Sequence, residues 1–164
     1  MELNIEAINR NAPYEVRPFV KEGFVTFSTD SGILLSVGFE KSDLILSDDA
    51  YEFAIVNVEH KASPRDTKVK ETIVAIVDEF FCSNNKTMLY LCETIDGKQA
   101  LRNRLFQDWF SGYSKQGNFV FLSTSIRDAE NVMNYATIIA RNDNPNLEAI
   151  ISEFYSTVKL FTDK

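Results

Sequence analysis

The chain has 164 residues, of which 45% are hydrophobic and 25% charged, a composition that supports one domain over residues 1–164 and leaves little room for a second. Asp and Glu number 24 against 17 Lys and Arg, and the formal net charge of −7 disfavours broad nucleic-acid binding. The opening MELNIEAINR lacks an apolar run and no window reaches membrane-spanning length, so we expect a cytoplasmic protein that does not enter a membrane.

The first elements are read from proline, glycine and β-branched residues. Residues 1–13 are polar, and we expect a mobile lead-in or a short first element, followed by an edge segment limited by Pro18. Phe24 to Thr29 and Ile33 to Phe39 have strand composition and flank a glycine-ended turn, which predicts a hairpin. Gly38 indicates a bulge or a close backbone approach.

Residues 40–50 read as a solvated acidic loop around a small apolar island, and Tyr51 to Val58 reads as a third strand. Ser63 followed by Pro64 then predicts the cap and first turn of a helix. Apolar residues at helical spacing carry that helix to about Cys82, and we expect Asn84-Asn85 to end it in left-handed geometry.

Basic residues gather where this second helix begins. Arg65 and Lys68 lie in its first turns, where free backbone N–H groups can hold an anion, although a solvated helix surface is the alternative interpretation. The only histidine, His60, lies in a polar connection with no nucleophile in a recognisable setting, so no catalytic residue is assigned. Cysteines 82 and 92 lack metal-ligand spacing, and no metal site is predicted.

The stretch from Thr87 to Tyr113 holds the most informative pattern. An apolar run at 88–92 predicts a central strand, and Asp96 with Gln99 has the form of a capping box for a following helix. At about 100° per residue, the predicted inward face of that helix consists of Leu101, Leu105, Phe106, Trp109, Phe110 and Tyr113.

Arg102 falls near the middle of this predicted face. A guanidinium on a buried face needs a carboxylate, carbonyl acceptors or an open cleft, so Arg102 is either a structural ion pair or a ligand-facing group. Lys98 in the first turn opposes the helix dipole and is a second candidate for ligand binding.

The last third predicts a second hairpin and a terminal helix. Residues 119–126 and 132–141 are β-rich, and Asn144-Pro145 opens an amphipathic helix whose apolar face suits either the sheet or another subunit, so a homodimer stays open. The element order is β-β-β-α-β-α-β-β-α, which predicts an α+β fold with a single mixed, mostly antiparallel sheet and one parallel pair around the first crossover helix.

Two resemblances follow from these residues. The first is to an uncharacterised family of small bacterial proteins, known as a domain of unknown function, over a region from the first hairpin to about Phe110. It rests on Tyr90-Leu91-Cys92, Asp96-Gly97-Lys98-Gln99, Arg102, Arg104-Leu105-Phe106 and Trp109-Phe110. This resemblance implies no activity.

The second resemblance is that of the element order to the core of GNAT-type acetyltransferases, in which a loop and helix bind the pyrophosphate of coenzyme A. The corresponding segment, residues 65–70, keeps the first Arg of that family's pattern and contains no glycine, and Leu105 and Phe106 stand nearest to the family's tyrosine acid. The resemblance therefore implies a GNAT-like acyltransferase or a degenerate coenzyme A binder.

The sequence favours a non-enzymatic role, because no acid, base and nucleophile set assembles. The primary hypothesis is a protein-interaction or ligand-sensing domain with no cofactor, whose partner is a protein or a small anionic ligand. Its candidate binding residues are Arg102, Lys98, Arg65 and Lys68. The alternative is the GNAT-like enzyme or coenzyme A binder.

Overall fold

A computed structural model describes residues 1–92 and 97–162 of the chain. The strands are β1 (Arg17–Pro18), β2 (Phe24–Ser28), β3 (Leu34–Lys41), β4 (Ala50–Asn57), β5 (Thr87–Cys92), β6 (Phe119–Arg127) and β7 (Met133–Arg141). The helices are α1 (Ile5–Asn11), α2 (Thr67–Ser83), α3 (Gln99–Phe110), α4 (Gly112–Lys115) and α5 (Leu147–Thr162). Within the described ranges, no helix combines the length and apolar character needed to cross a membrane.

The strands form one mixed sheet in the order β1-β2-β3-β4-β5-β7-β6. Strand β5 pairs parallel with β4 and antiparallel with β7, so it occupies the central position expected from its apolar run. Helix α2 is the crossover that a parallel β4–β5 pair requires. The predicted α+β class and the mixed, mostly antiparallel sheet are confirmed.

The chain forms two compact units. Unit 1 comprises Met1–Glu40 and Phe53–Asn84, and unit 2 comprises Lys41–Glu52 and Asn85–Lys164. In unit 1 the expected lead-in contains helix α1, which Asn4 caps by accepting a hydrogen bond from Ala7 N at 3.0 Å. The helix buries Ile8. That the chain is a single domain stays a prediction.

The predicted first hairpin is confirmed as the antiparallel pair β2–β3. Gly32 supplies the positive φ of 74° in its turn. At Gly38 an ideal Cβ would lie 2.3 Å from the ring of Phe24, the cross-strand partner of the glycine. The close backbone approach expected at this glycine is therefore explained by the buried ring of Phe24, which packs directly on the glycine backbone.

Both ends of α2 differ from the prediction. The helix begins at Thr67 rather than Pro64, because Asp66 acts as the cap and its carboxylate accepts hydrogen bonds from Lys68 N at 2.9 Å and from the Tyr14 hydroxyl. At the other end Asn84 is extended, with φ of −136°. Its side-chain amide donates to Phe80 O at 3.1 Å, which satisfies a terminal carbonyl without left-handed backbone.

A candidate ligand cavity in unit 2

Helix α5 packs its apolar stripe on one face of the sheet in unit 2. Asn144 forms a turn before the helix, in which its side chain accepts a hydrogen bond from Asn146 N at 2.8 Å. Helix α5 begins at Leu147, two residues later than the start predicted at Pro145. Ile150 and Phe154 are buried, and Val158 is partly buried one turn further along the helix. These spacings place three apolar side chains on the same side of the helix. Their partners are the core residues Ile45, Ala50, Leu89, Ala136 and Ile138.

Between α5 and the sheet lies a cavity of about 350 Å³. Its lining residues are Leu44, Ile45, Leu89, Leu91, Ile126, Asp128, Asn134, Tyr135, Ala136, Phe154, Thr157 and Val158. The volume lies at the lower end of the range for small-molecule sites, roughly 300–1,000 Å³. The walls are mainly aliphatic and aromatic, and Asp128, Asn134 and Thr157 supply a few polar groups. Within residues 1–92 and 97–162, no Lys or Arg lines this cavity.

The loop before β4 covers one side of the cavity and is held by α5. Glu153 accepts hydrogen bonds from Leu46 N at 2.7 Å and from Ser47 N at 2.9 Å, one to each carboxylate oxygen. Burial alone would raise the pKa of Glu153, but the hydrogen bonds from Ser47 and Leu46 outweigh it and lower the pKa below the ordinary value of 4.5. The charged carboxylate therefore fastens the loop to the helix.

The loop before β4 makes specific contacts with the rest of unit 2, so the prediction that residues 40–50 form a solvated acidic loop is wrong. Ile45 is only 2% exposed because it belongs to the core of unit 2. Asp49 pairs with Lys86 at 2.6 Å, and Lys86 is the first cause of the lowered pKa of that carboxyl group. Asp48 accepts hydrogen bonds from Thr87 and Asn144, so one loop carboxylate joins β5 to the start of α5.

Asp128 organises the turn of the β6–β7 hairpin beside the cavity. Its Oδ1 accepts hydrogen bonds from Val132 N at 2.9 Å and from Glu130 N at 3.0 Å, and its Oδ2 accepts one from Asn134 Nδ2 at 3.0 Å. The hydrogen bond from Val132 is the first of the causes that lower the pKa of Asp128, so the group is charged near neutral pH. Asn131 completes the turn with a positive φ of 64°.

Helix α3 turns only part of the predicted face inward. Leu101 and Leu105 are 57% and 42% exposed, so the prediction that they face inward is wrong. The buried positions of α3 are Gln99, Phe106 and Phe110, which are seven and four residues apart and therefore lie on one side of the helix. Tyr113 of α4 is buried as well. Aromatic packing sets this phase: the ring of Phe106 stacks on that of Tyr90 with centroids 4.0 Å apart. The predicted capping residue, Asp96, lies outside the described residues.

Arg102 lies at the edge of the buried face of α3 rather than at its middle, and it is half-buried. Burial raises the pKa of the Tyr90 phenol, and the hydrogen bond from Cys92 raises it further. The positive charge of Arg102 lies close enough to lower this pKa in part. Lys98 is exposed at the start of the same helix. The role of Arg102, either a structural ion pair or a ligand-facing group, stays a prediction.

The other two predicted site residues, Arg65 and Lys68, are exposed residues of unit 1. Lys68 Nζ forms an ion pair with Asp30 at 2.7 Å, which lowers the pKa of that carboxyl group. The carboxylate of Asp66 already accepts a hydrogen bond from the first turn of α2. Negative protein groups therefore occupy the surroundings that were predicted to hold an anion.

The cavity itself was missed at the sequence level. Its walls come from the loop before β4, from β5, from the β6–β7 hairpin and from α5, which lie far apart along the chain. One feature of the sequence pointed toward this region: the three aliphatic residues at 44–46 lie between acidic residues. A fully solvated loop does not need aliphatic side chains, so this run indicates that part of the loop is buried. The functional predictions instead relied on charged residues, none of which lines the cavity in the part of the chain that the structure describes.

The chain matches a family model described as a family of unknown function (DUF6169) over residues 65–156, which is more than half of its length. The match starts beyond the first hairpin and extends past Phe110 into α5, so its range differs from that expected for the resemblance. It includes most of the cavity-lining residues, all except Leu44, Ile45, Thr157 and Val158. A search of curated proteins gave no match. On the extent of the family match, the chain belongs to DUF6169, a family of unknown function.

Proposed function

We propose that this protein is a non-enzymatic ligand-binding domain that holds a small, mainly apolar molecule in the cavity between α5 and the sheet of unit 2. The observation that carries the proposal is the cavity itself: about 350 Å³ of space with aliphatic walls and a few polar groups from Asp128, Asn134 and Thr157. Apolar pockets with a small number of polar groups are the usual form of small-molecule sites.

The size of the cavity sets the size of the ligand. A water molecule takes about 30 Å³ of liquid volume, so 350 Å³ corresponds to about a dozen waters and to a ligand of roughly that many non-hydrogen atoms. A ten-carbon alcohol, 1-decanol, is a suitable first probe because it combines an apolar chain of this size with one hydroxyl group. Its binding removes apolar surface from water, which is the main source of affinity in such a site.

The test compares two phenylalanine substitutions on the same helix. Val158 is partly buried and lines the cavity, so Val158→Phe places extra volume in the ligand space. Ser156 is exposed and lies outside the cavity lining, so Ser156→Phe is the matched control. We expect saturable binding of 1-decanol by calorimetry in the wild type and the control, and its loss in Val158→Phe, while circular dichroism shows that both variants are folded.

Equal binding by the two variants would overturn the proposal, because the site would then lie elsewhere. Absence of binding to the wild type would overturn it as well. Native mass spectrometry of protein purified under mild conditions adds an independent readout, since a bound ligand adds its own mass to that of the folded protein.

A second candidate is a protein-interaction surface on α3, supported by the exposure of apolar residues there. Leu101 and Leu105 are exposed and Trp109 is half-buried, at a spacing of four residues, and Lys98 and Arg102 flank them. We propose an acidic amphipathic helix of a partner protein as the occupant, because cations beside an apolar stripe complement such a helix.

Trp109 is the only tryptophan of the chain and reports on this stripe directly. Titration with an acidic, leucine-rich helical peptide should change its fluorescence saturably, and Leu101→Ser with Leu105→Ser should remove the change. The apparent affinity should fall with added salt if Lys98 and Arg102 contribute. A response that survives the double substitution would exclude the stripe as the docking surface.

The alternative function is a GNAT-like acyltransferase or a degenerate coenzyme A binder that uses Arg65 and Lys68. The parallel β4–β5 pair with its crossover helix favours it, while the carboxylates of Asp66 and Asp30 beside the start of α2 disfavour a bound pyrophosphate. Thermal unfolding with coenzyme A and with acetyl-coenzyme A decides: a saturable rise in Tm supports this alternative, and unchanged values exclude it.

A further inference from the structure

The polar group of the ligand is constrained by the charges around the cavity. Among the described residues that line the cavity, Asp128 is the one that carries a charge near neutral pH, and none is a Lys or Arg. An anionic ligand would therefore meet a negative group without a compensating cation in the lining, an arrangement that is unfavourable in partly desolvated surroundings. A neutral or cationic ligand meets no such penalty.

Asp128 also keeps acceptor capacity after its structural role is met. An ionised carboxylate offers about four acceptor positions, and the hydrogen bonds of Asp128 within the described part of the chain are those from Glu130 N, Val132 N and Asn134 Nδ2. Two of these reach Oδ1 and one reaches Oδ2, so Oδ2 has capacity for a further donor. No ion pair involves this carboxylate among the described residues.

We infer that the ligand carries a protonated amine at one end of its apolar body, and that this ammonium group donates a hydrogen bond to Asp128 while the chain fills the aliphatic part of the cavity. The inference rests on the proposed ligand-binding function and specifies the chemical class of the ligand. An amine attached to a chain of about ten carbons satisfies both the volume and the charge of the cavity.

The turn geometry explains why Asp128 can serve both purposes. The backbone N–H groups of Glu130 and Val132 hold Oδ1, which fixes the plane of the carboxylate before any ligand arrives. A preorganised acceptor loses little side-chain freedom on binding, so more of the interaction appears as affinity. Because Asp128 is partly accessible to water, the contribution of this charge is smaller than that of a fully buried pair.

The experiment uses three probes of nearly equal length: decylamine, 1-decanol and decanoate, each titrated into the full chain by calorimetry near neutral pH and below the concentration at which the probe self-associates. We expect decylamine to bind about fivefold tighter than 1-decanol, a modest ratio because water screens the hydrogen bond between the ammonium group and the accessible carboxylate of Asp128. Decanoate is expected to bind most weakly of the three.

Two variants locate the preference. Asp128→Asn removes the charge but keeps an acceptor for the turn, and it should abolish the preference for decylamine over 1-decanol. Glu130→Gln removes an exposed carboxylate from the same turn and from outside the cavity lining, so it should leave the preference intact. Circular dichroism and the 1-decanol titration together show that Asp128→Asn still folds around an intact cavity.

The outcomes separate the two proposals. Equal affinities for decylamine and 1-decanol in the wild type would overturn the amine class while leaving the cavity as a ligand site. A preference that persists in Asp128→Asn would overturn the role of that carboxylate. If none of the three probes binds, the proposed function fails and this inference fails with it.

Discussion

Replacing Glu153 with glutamine is expected to lower the free energy of unfolding by about 1–2 kcal/mol. The carboxylate of Glu153 accepts one hydrogen bond on each oxygen, from Leu46 N and Ser47 N. A hydrogen bond to a charged group contributes about 1.5 kcal/mol at the low end, so the two together approach about 3 kcal/mol before solvent screening reduces them. Glutamine retains one acceptor and presents an N–H group to the other backbone donor.

The assay is denaturant unfolding followed by the fluorescence of Trp109, which lies in unit 2 with the substituted residue. Glu71→Gln is the control, because Glu71 is an exposed helical carboxylate and has no side-chain hydrogen bond or ion pair among the described residues. We expect the control to change stability by less than about 0.5 kcal/mol, as for ordinary surface substitutions. If Glu153→Gln behaves like the control, the fastening of the loop by α5 is not a source of stability.

The same carboxylate gives a pH dependence whose sign follows from its lowered pKa. The folded protein holds the proton on Glu153 less readily than the unfolded chain does, so the stabilisation is complete above the ordinary pKa of 4.5 and is lost as the pH falls through the lower folded value. The stability difference between the wild type and Glu153→Gln should therefore shrink on acidification. A difference that stays constant into strong acid would contradict the assigned cause.

Three further substitutions probe the packing and charge of the fold. Phe154→Ala empties a side chain that is only 3% exposed and should cost about 3–5 kcal/mol in denaturant unfolding, and a loss below about 1 kcal/mol would mean that α5 is not docked. Gly38→Ala drives a Cβ into the buried ring of Phe24 and should cost about 1–3 kcal/mol, whereas unchanged stability would show that the ring can move aside. Lys86→Met breaks the pair with Asp49 and should cost about 0.5–1 kcal/mol at low salt, with a smaller effect at high salt; an effect independent of salt would point to packing of the lysine stem instead.

The strands and their pairing could be predicted from the sequence because hydrophobic pattern and turn chemistry agree there. The apolar run at 88–92 gave a central strand, and the order of elements gave the parallel β4–β5 pair. The pair Asn144-Pro145 predicted the start of α5 to within two residues, since the helix begins at Leu147. Each of these inferences needed only residues close together in the sequence.

The predicted inward face of α3 was wrong at Leu101 and Leu105, although Phe106 and Phe110 are buried as predicted. Gln99 is 8% exposed, whereas Leu101 is 57% exposed, so the polar residue lies on the inner face and the aliphatic one on the outer face. The phase of the helix is instead set by the aromatic stacking of Phe106 on Tyr90, a contact between two elements. A helical pattern alone cannot choose between two apolar faces when one helix carries both.

The start of α2 and the cavity were missed for a related reason. Asp66 outcompetes Ser63 as the cap because the Tyr14 hydroxyl, which is remote in sequence, also donates to that carboxylate. The cavity is the space left where four distant segments meet, and its volume depends on side-chain packing rather than on any local pattern. The candidate residues chosen from charge alone, Arg65 and Lys68 among them, lie outside its lining.

The central position of β5 has a consequence for how the protein is made. Its ladder with β7 joins Met88 to Ile139, whereas the closed end of the β6–β7 hairpin joins Arg127 to Met133. Short loops close at lower entropic cost than long ones, so we expect the hairpin to assemble first and β5 to be enclosed late. During synthesis β5 therefore leaves the ribosome before β7 is available to pair with it, and its apolar side chains are exposed to chaperones at that stage. Pulse-labelled hydrogen exchange during refolding would record this delay as late protection of the β5 amides.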